Sequence, residues 1–143
     1  MQSIFRSDPH PPCPSPFNLA AHVLGRADDL ADKVALAVVG PSGAERWSYG
    51  RLRQSVLGTA TGLYRAGLAP GDKVLMRLGN TVDFPIAYLG AVAAGLVPVP
   101  TSLQLTGREV AAIIENIRPG AVLRDPGAAC PDTDATVIGT KEL

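Results

Sequence analysis

The chain has 143 residues, of which 46% are hydrophobic and 18% charged, a balance typical of one globular domain and not of a disordered segment. Its 13 basic and 13 acidic residues cancel, which excludes the strong positive charge of a dedicated nucleic-acid-binding protein. Glycine and proline interrupt every apolar stretch before it could span a bilayer, and the N-terminus has no apolar core of signal-peptide length, so we expect no membrane span and a cytoplasmic location.

The N-terminal segment predicts an arm followed by a helix. Residues 1–16 contain five prolines and few large apolar side chains, which favours an extended arm. Asn18 then offers a side-chain oxygen that can cap a helix, with His22 on the exposed face. The apolar residues that follow helical spacing are Leu19, Val23, Leu24 and Ala27.

The next segments predict a β-hairpin, a second helix and a strand. An apolar run at 34–39 and a return strand at 45–47 flank the turn sequence Gly-Pro-Ser-Gly. The second helix begins after Ser48, a good N-cap residue, and runs to about Ala66, followed by a strand at 73–78. The face of this helix that we expect to be buried carries Leu52, Val56, Ala60 and Leu63.

A third helix is predicted to start at residues 81–83, because Pro85 is tolerated only in a first turn. The side chains that offer capping oxygens are those of Asn80, Thr81 and Asp83. The helix carries a stripe of small residues that permits close packing: Ala87, Gly90, Ala91 and Ala94. The strand that follows, 96–100, contains Pro98 and Pro100, and since neither can donate a backbone hydrogen bond, it belongs at a sheet edge or a strand end.

The fourth helix carries the clearest local signal in the chain. Thr106 and Glu109 form a T-x-x-E capping box at its start. The apolar residues that we expect it to bury are Val110, Ile113, Ile114 and Ile117. Residues 121–123 then predict a strand, and residues 125–143 a polar, turn-rich tail.

This order of elements predicts an α/β fold: a partial three-layer, mostly parallel sheet with helices on its faces and an N-terminal antiparallel hairpin. The predicted organisation is an arm at 1–16, an α/β subdomain at 17–124 and the tail at 125–143.

No segment has the spacing of a known catalytic or phosphate-binding motif. The sequence contains no G-x-x-x-x-G-K-[ST] loop, no G-x-G-x-x-G turn after a strand and no G-x-S-x-G nucleophile elbow. The acidic cluster of Asp28, Asp29 and Asp32 is typical of a solvated helix end. We therefore predict no catalytic, cofactor-binding or metal-binding residue in this chain.

Cysteine and histidine are sparse. Cys13 and Cys130 are expected as free thiols, with one disulfide between two loops as the alternative. His10 and Cys13 have a metal-like spacing, and His22 with Cys130 would complete four ligands, but the prolines around residue 13 stiffen this stretch. A structural zinc site is therefore disfavoured.

Three segments resemble the N-terminal region of the adenylate-forming enzymes, the superfamily of acyl- and aryl-CoA synthetases, luciferases and peptide-synthetase adenylation domains. They are residues 47–52 (WSYGRL), 67–74 (GLAPGDKV) and 80–106. The residues that match the first two core motifs of the family are Trp47, Ser48, Tyr49, Leu52, Ala94, Gly95, Pro98 and Pro100. Within the superfamily, the start at Phe17-Asn18 and the stretch Asp83-Phe84-Pro85 look most like benzoate-type and other acyl-CoA synthetases.

The resemblance implies two-step activation of a carboxylic acid. ATP and the acid give an acyl-adenylate, and the CoA thiol then displaces AMP. ATP, Mg²⁺ and CoA are the cofactors of the full-length family, but its phosphate loop and catalytic lysine match nothing in these 143 residues. We therefore expect an inactive N-terminal part, truncated before the phosphate loop, that needs no cofactor of its own and whose partner is the C-terminal part of the ligase or a second copy.

The sequence is also compatible with two other functional hypotheses. A non-catalytic interaction or self-associating α/β domain would use apolar surface left uncovered on an isolated subdomain. A free-standing flavodoxin-like or Rossmann-like nucleotide-binding protein is disfavoured by the missing glycine-rich turn.

Arg51 departs from the first core motif of the family, which usually has an acidic residue there. With Ser48 as N-cap, an acidic side chain at this position would complete a capping box, whereas arginine cannot accept that hydrogen bond and opposes the helix dipole. We therefore predict that Arg51→Glu stabilises the second helix.

Overall fold

The computed structural model describes residues 10–140, and from α2 to β5 helices alternate with strands. The helices are α1 (Leu19–Val23), α2 (Tyr49–Arg65), α3 (Asp83–Ala93) and α4 (Gly107–Ile117). The strands are β1 (Val34–Gly40), β2 (Gly43–Ser48), β3 (Lys73–Arg77), β4 (Val97–Pro100), β5 (Ala121–Arg124) and β6 (Thr136–Gly139). Within the described range, no helix is long and apolar enough to cross a membrane.

The strands form two sheets. β1 and β2 pair as a separate antiparallel hairpin, while β4, β3, β5 and β6 form, in that order, a parallel sheet. The predicted hairpin and the mostly parallel sheet are therefore confirmed. The prediction that the proline-containing strand lies at an edge is also confirmed, because β4 is the outer strand beside β3.

Helices cover both faces of the parallel sheet, which gives the predicted three layers. Along β3, Val74 and Met76 point into the core formed with α2 and α3, and Leu75, between them, points into the core formed with α4. All three side chains are fully buried. This alternation is the period-two pattern of a strand that is buried on both faces.

The α2–α3 contact is close because α3 presents small residues to it, as predicted. Gly90 lies against Thr59 of α2, and a Cβ atom built on Gly90 would come within 2.6 Å of the Thr59 Cγ2 atom. The α2 face expected to be buried is buried: Leu52, Val56, Ala60 and Leu63. α3 begins at Asp83, within the predicted range, but its N-cap residue is Val82 and no side chain caps it. Thr81 Oγ1 accepts from the Asp83 backbone N–H at 3.3 Å in the turn before the helix, so the predicted side-chain cap is wrong.

The buried face predicted for α1 is wrong in part. Leu19 and Val23 are 41% and 45% exposed, whereas Ala20, Leu24 and Ala27 are buried. The Asn18 cap is present, since its Oδ1 accepts from the Ala21 N–H at 3.1 Å. The helix ends after five residues, so the helical spacing assumed for the later positions does not apply.

The prediction for α4 is confirmed at its start and only partly along its length. Thr106 and Glu109 form the capping box. Of the four expected core residues, Val110 is fully buried, while Ile113, Ile114 and Ile117 are half-buried. A single helix covers this face of the sheet, so the outer side chains of its apolar stripe have nothing above them among the described residues.

The C-terminal tail contains a strand that the sequence did not predict. Residues 126–135 are irregular, but β6 pairs in parallel with β5, Ala121 opposite Thr136 and Leu123 opposite Ile138. Residues 10–16 of the predicted arm are exposed and lack helix or strand, and residues 1–9 of that arm lie outside the described range.

Candidate functional site

The topology points to one edge of the parallel sheet as the candidate site. After β3 the chain crosses to β4 on one side and then, through α4, to β5 on the other side, so the order of strands reverses between β3 and β5. In open α/β sheets, ligands bind in the crevice outside the carboxyl ends of the strands at such a reversal. We call the loops there, residues 78–82, 101–106 and 125–135, the carboxyl edge.

Arg77, the last residue of β3, donates hydrogen bonds to loops of the carboxyl edge. Its side chain is fully buried. The Nε–H donates to the Ala129 carbonyl at 3.1 Å, Nη2 donates to the Leu105 carbonyl at 3.3 Å, and Nη1 donates to the Ser102 carbonyl. One guanidinium group therefore joins the loop after β4 to the loop after β5.

The charge of Arg77 is balanced by carbonyl dipoles and not by a carboxylate. The ion pairs found among residues 10–140, Arg26 with Asp29 and Arg53 with Asp28, are on the surface near α1. A buried cation is costly unless its donors are satisfied, and here each of the three nitrogens has an acceptor. Three of the five N–H donors of Arg77 are thus used inside the fold.

Asp125 makes a second link across the carboxyl edge. Its Oδ2 accepts from the backbone N–H of Gly79 at 2.6 Å, which joins the end of β5 to the loop after β3. A Cβ atom on Gly79 would lie 3.2 Å from that oxygen and 3.3 Å from the Leu103 Cδ1 atom, so glycine allows the loops to approach. The Thr101 hydroxyl also donates to the Met76 carbonyl at 3.0 Å.

The residues of the first sequence motif surround the start of α2. Ser48 Oγ accepts from the Arg51 N–H at 3.3 Å, and the buried Trp47 donates from Nε1 to Glu45 Oε1 at 2.7 Å. Trp47 and Leu52 belong to one buried cluster, against which Tyr49 packs.

The side chain of Arg51 has a partner that sequence reasoning missed. Its guanidinium carbon lies 3.6 Å from the centre of the Trp47 ring, a cation–π contact. Arginine in place of the usual acidic residue therefore loses a capping bond but gains a stacking partner on the preceding strand.

The residues of the second motif lie at the end of α3 and along β4. The Ala94 carbonyl accepts from the Tyr64 hydroxyl at 2.8 Å. Gly95 has a φ of +71°, which favours glycine, and its carbonyl accepts from the Gly71 N–H at 2.9 Å. Pro98 and Pro100 lie on β4. The two motifs are not brought into one site, and their residues make packing and backbone contacts.

The sequence-based candidates for metal ligation are not brought together either. Cys13 is exposed, Cys130 is half-buried, and both are free. In the range 10–140, no group of three or more His, Cys, Asp or Glu side chains is placed to hold a metal ion. Glu109 has a lowered pKa because its carboxylate accepts hydrogen bonds from the backbone N–H and the hydroxyl of Thr106, an interaction of the capping box.

Two open clefts lie among the described residues, and the second of them reaches residues 132–135 of the carboxyl edge. One of about 500 Å³ separates α1 from α2 and has the Asp28–Arg53 ion pair in its wall. Another of about 530 Å³ lies between α4 and the loop that leads into β6.

Sequence reasoning missed Arg77 and Asp125, although one signal was present. In the run Val-Leu-Met-Arg, alternation places Arg77 on the same face as the buried Leu75, so a buried guanidinium group could have been suspected. Its acceptors lie 25, 28 and 52 residues away, which no local pattern reveals.

Comparison with known proteins agrees with this fold. The model of the family described as AMP-binding enzyme matches residues 25–141. The benzoate CoA ligase of Burkholderia xenovorans LB400 superposes with a TM-score of 0.76 at 26% identity, over 86% of this chain and 26% of that one. A fatty acid AMP ligase from Legionella pneumophila shares the fold with a TM-score of 0.77 at 24% identity, over 88% of this chain and 24% of that one.

Curated relatives give the same family. The chain is 36% identical over 100 residues to a crotonobetaine/carnitine–CoA ligase of Escherichia fergusonii, covering 66% of this chain and 19% of that protein. It is 34% identical over 141 residues to 4-coumarate–CoA ligase-like 3 of Oryza sativa, covering 94% of this chain and 24% of that protein. A 4-hydroxybenzoate–CoA/benzoate–CoA ligase of Rhodopseudomonas palustris is 38% identical over 71 residues, covering 50% of this chain and 13% of that protein.

These matches place the chain among the adenylate-forming α/β proteins. It belongs to the AMP-binding enzyme family, as the resemblance of its two motifs predicted. It spans between 13% and 24% of the length of these curated relatives.

Proposed function

We propose that these residues are the N-terminal scaffold of an ATP-dependent acyl- or aryl-CoA ligase. The observation that carries the proposal is the family match over residues 25–141 together with relatives that are CoA ligases acting on different acids. In the complete ligase, a carboxylate oxygen attacks the α-phosphorus of ATP and pyrophosphate leaves. The CoA sulfur then attacks the acyl carbon, and AMP leaves with the bonding electrons.

The residues at the carboxyl edge support a scaffold role. Adenylation needs cationic or backbone N–H groups that face the triphosphate. Arg77 donates to backbone carbonyls, and the Gly79 N–H donates to Asp125, so these groups hold loops in place. We propose that ATP, Mg²⁺ and CoA are held by the remainder of the ligase, and that residues 1–143 alone need none of them and are inactive. Since ATP and CoA are cytoplasmic metabolites, we also propose a cytoplasmic location.

The test is a pyrophosphate-release assay on residues 1–143, with and without the polypeptide encoded directly downstream. The acids are benzoate, 4-hydroxybenzoate, 4-coumarate, crotonobetaine and a long-chain fatty acid, and thioester formation is measured in parallel. We expect no turnover from residues 1–143 and acid-dependent turnover when the downstream polypeptide is present. Thioester formation by residues 1–143 alone would refute the scaffold role, and no turnover with any acid in the longer protein would refute the ligase assignment.

A second candidate function is a self-associating or partner-binding domain. The observation in its favour is the set of large apolar side chains left more than 40% exposed on α1, α2 and the segment before them: Phe17, Leu19, Val23, Leu57 and Tyr64. Light scattering over a range of concentrations separates the two candidates. A mass that grows with concentration, in a protein without ligase activity, favours the interaction domain.

A further inference from the structure

A small cavity lies between α2, α3 and the end of β6, and it shares no lining residue with the two open clefts. Its volume is about 230 Å³, less than half that of either cleft. The side chains that line it are polar at Ser55, Thr59, Asp83 and Thr140 and apolar at Trp47 and Ile86.

The hydroxyl of Thr59 is an unused polar group in this cavity. Thr59 is only 2% exposed, yet its side chain makes no hydrogen bond to any described residue. Thr61, two residues further along α2, shows the usual arrangement in a helix, because its hydroxyl donates to the Leu57 carbonyl at 2.9 Å. Every fully enclosed polar side-chain atom in the described part of the chain has a partner, so the Thr59 oxygen borders the open space of the cavity.

The orientation of the Thr59 side chain is fixed by its methyl group. The Cγ2 atom packs on Gly90 so closely that a Cβ atom at residue 90 would lie 2.6 Å away. Because β-branched side chains have few χ1 rotamers in a helix, turning the hydroxyl elsewhere would move this methyl group out of its packed position. The hydroxyl therefore stays available to a ligand in the cavity.

The charge of the lining favours a cation. Asp83 supplies a carboxylate, and no cationic side chain of the described residues lines the cavity. Arg51 is held elsewhere, by stacking on the Trp47 ring with its guanidinium carbon 3.6 Å from the ring centre. An anion would be repelled by the carboxylate and would meet no opposite charge.

The hydrogen-bonding groups of the lining match a donor with three N–H groups. The Asp83 carboxylate accepts one bond from the Thr81 hydroxyl at 3.3 Å, through Oδ2, and retains capacity for others. The hydroxyl oxygens of Ser55 and Thr59 are two further acceptors. A primary ammonium group has three donors and no acceptor, so each of its donors finds one oxygen.

We propose that this cavity binds a primary ammonium group, held by the Asp83 carboxylate and the hydroxyl oxygens of Ser55 and Thr59. The cavity is smaller than the roughly 300–1,000 Å³ of sites for drug-sized ligands, so it accommodates one functional group on a few carbon atoms. The inference does not depend on the proposed ligase activity.

The ammonium group has two possible sources. One is Lys141, which follows the lining residue Thr140 directly in the sequence, so that their Cα atoms are about 3.8 Å apart. The other is a small free amine. We expect Lys141 to be the source, because a tethered group reaches an effective concentration in the millimolar range.

The first arm of the test measures the reactivity of Lys141 in the full-length polypeptide that contains these residues. Lysines are acetylated with an N-hydroxysuccinimide ester, which reacts with the unprotonated amine, and mass spectrometry gives the rate at each site. The exposed Lys33 is the matched control. Hydrogen bonds to a charged group hold Lys141 in the cavity, so we expect it to react on the order of 10-fold more slowly than Lys33.

The variant Thr59→Val shows whether this protection comes from the cavity, since it replaces the hydroxyl by a methyl group of similar size. We expect it to raise the rate at Lys141 and to leave the rate at Lys33 unchanged. Ser55→Ala, at a half-buried position of the same lining, takes its place if Thr59→Val does not fold.

The second arm tests the free amine and decides if Thr59→Val leaves the rate at Lys141 unchanged. Ethylammonium chloride is titrated into the unmodified protein and into Thr59→Val, with sodium chloride at the same ionic strength as the control. Binding in the cavity raises the unfolding midpoint of the unmodified protein by roughly 1–3 °C more than sodium chloride does, and Thr59→Val removes that difference. An unchanged rate at Lys141 together with equal midpoints in the two salts would overturn the proposal.

Discussion

The two faces of the parallel sheet differ in how much apolar surface they bury. On the face towards α2 and α3, thirteen buried residues form one continuous core, and on the face towards α4 the buried cluster has three, Leu75, Val110 and Val122. Alternation along β3 directs Arg77 to the α4 side, with Leu75. One face thus stabilises the subdomain by apolar packing, while the other combines a thin apolar layer with a buried polar network.

The largest effect expected from this difference is the cost of removing one core side chain from each face. Leu63→Ala, on the α2 side, leaves a cavity among fully buried neighbours and should cost about 2–5 kcal/mol of unfolding free energy. Ile114→Ala, on half-buried α4, should cost less than about half of that, because solvent already reaches the site. Urea unfolding of both variants measures the two values, and equal costs would show that the faces are equally well packed.

The second prediction concerns the polar network on the α4 side. Arg77→Leu leaves the carbonyls of Ser102, Leu105 and Ala129 without their donor and should lower stability by roughly 1–3 kcal/mol. Hydrogen exchange should rise in residues 101–106 and 125–130 and not in α2. Arg77→Lys is the control: it keeps the charge but not the fork of donors, and we expect only partial recovery. Faster exchange spread evenly over the protein would contradict the role of Arg77 in joining these loops.

The third prediction concerns the close α2–α3 contact. Gly90→Ala puts a methyl group within 2.6 Å of Thr59 Cγ2 and should destabilise the protein by roughly 1–2 kcal/mol, despite the better helix propensity of alanine. The matched control is Gly62→Ala on the open side of α2, where nothing lies within 4 Å of the new methyl group. It should stabilise by about 0.5–1 kcal/mol. Thermal unfolding measures both, and the same sign in both variants would refute the close contact.

The start of α2 gives a smaller effect. Arg51→Glu would complete a capping box, worth about 1 kcal/mol, but removes the stacking of Arg51 on Trp47, worth about 0.5–1 kcal/mol at an exposed site. We expect a net gain of only a few tenths of a kcal/mol. Arg51→Ala loses the stacking without gaining the cap and should be the least stable of the three proteins. An Arg51→Glu variant less stable than Arg51→Ala would show that the cap does not form.

The start of α4 already has its capping box, so its contribution should depend on pH. Because the hydrogen bonds from Thr106 lower the pKa of Glu109 in the folded protein, the stabilisation is fully present above the ordinary glutamate pKa of about 4.3. It is lost as the pH falls through the lowered pKa. Glu109→Gln keeps a hydrogen-bond acceptor and does not titrate, so its unfolding midpoint should fall less than that of the unmodified protein between pH 6 and 3. Parallel curves would contradict this assignment.

Local signals predicted those elements whose ends and faces are fixed by nearby residues. The hairpin, the range of α2 and the Thr106–Glu109 box of α4 were all predicted, because turns and caps join residues a few positions apart. The predicted apolar face of α1 was wrong in part because the position of α1 depends on α3. Asn18 Nδ2 donates to the Val92 carbonyl of α3 at 2.8 Å. Strand β6 was missed because a short edge strand needs few apolar residues of its own.

The sequence by itself determined the order of elements as far as β5, the position of the two prolines at a sheet edge or a strand end, and the family. These follow from periodicity, from proline's missing N–H and from two motifs. Only the tertiary structure decided which acceptors surround Arg77, how much of α4 is covered and that β6 pairs beside β5. Those features join residues distant in the chain, and their energies depend on burial and on hydrogen-bond geometry that exist only once the layers have packed.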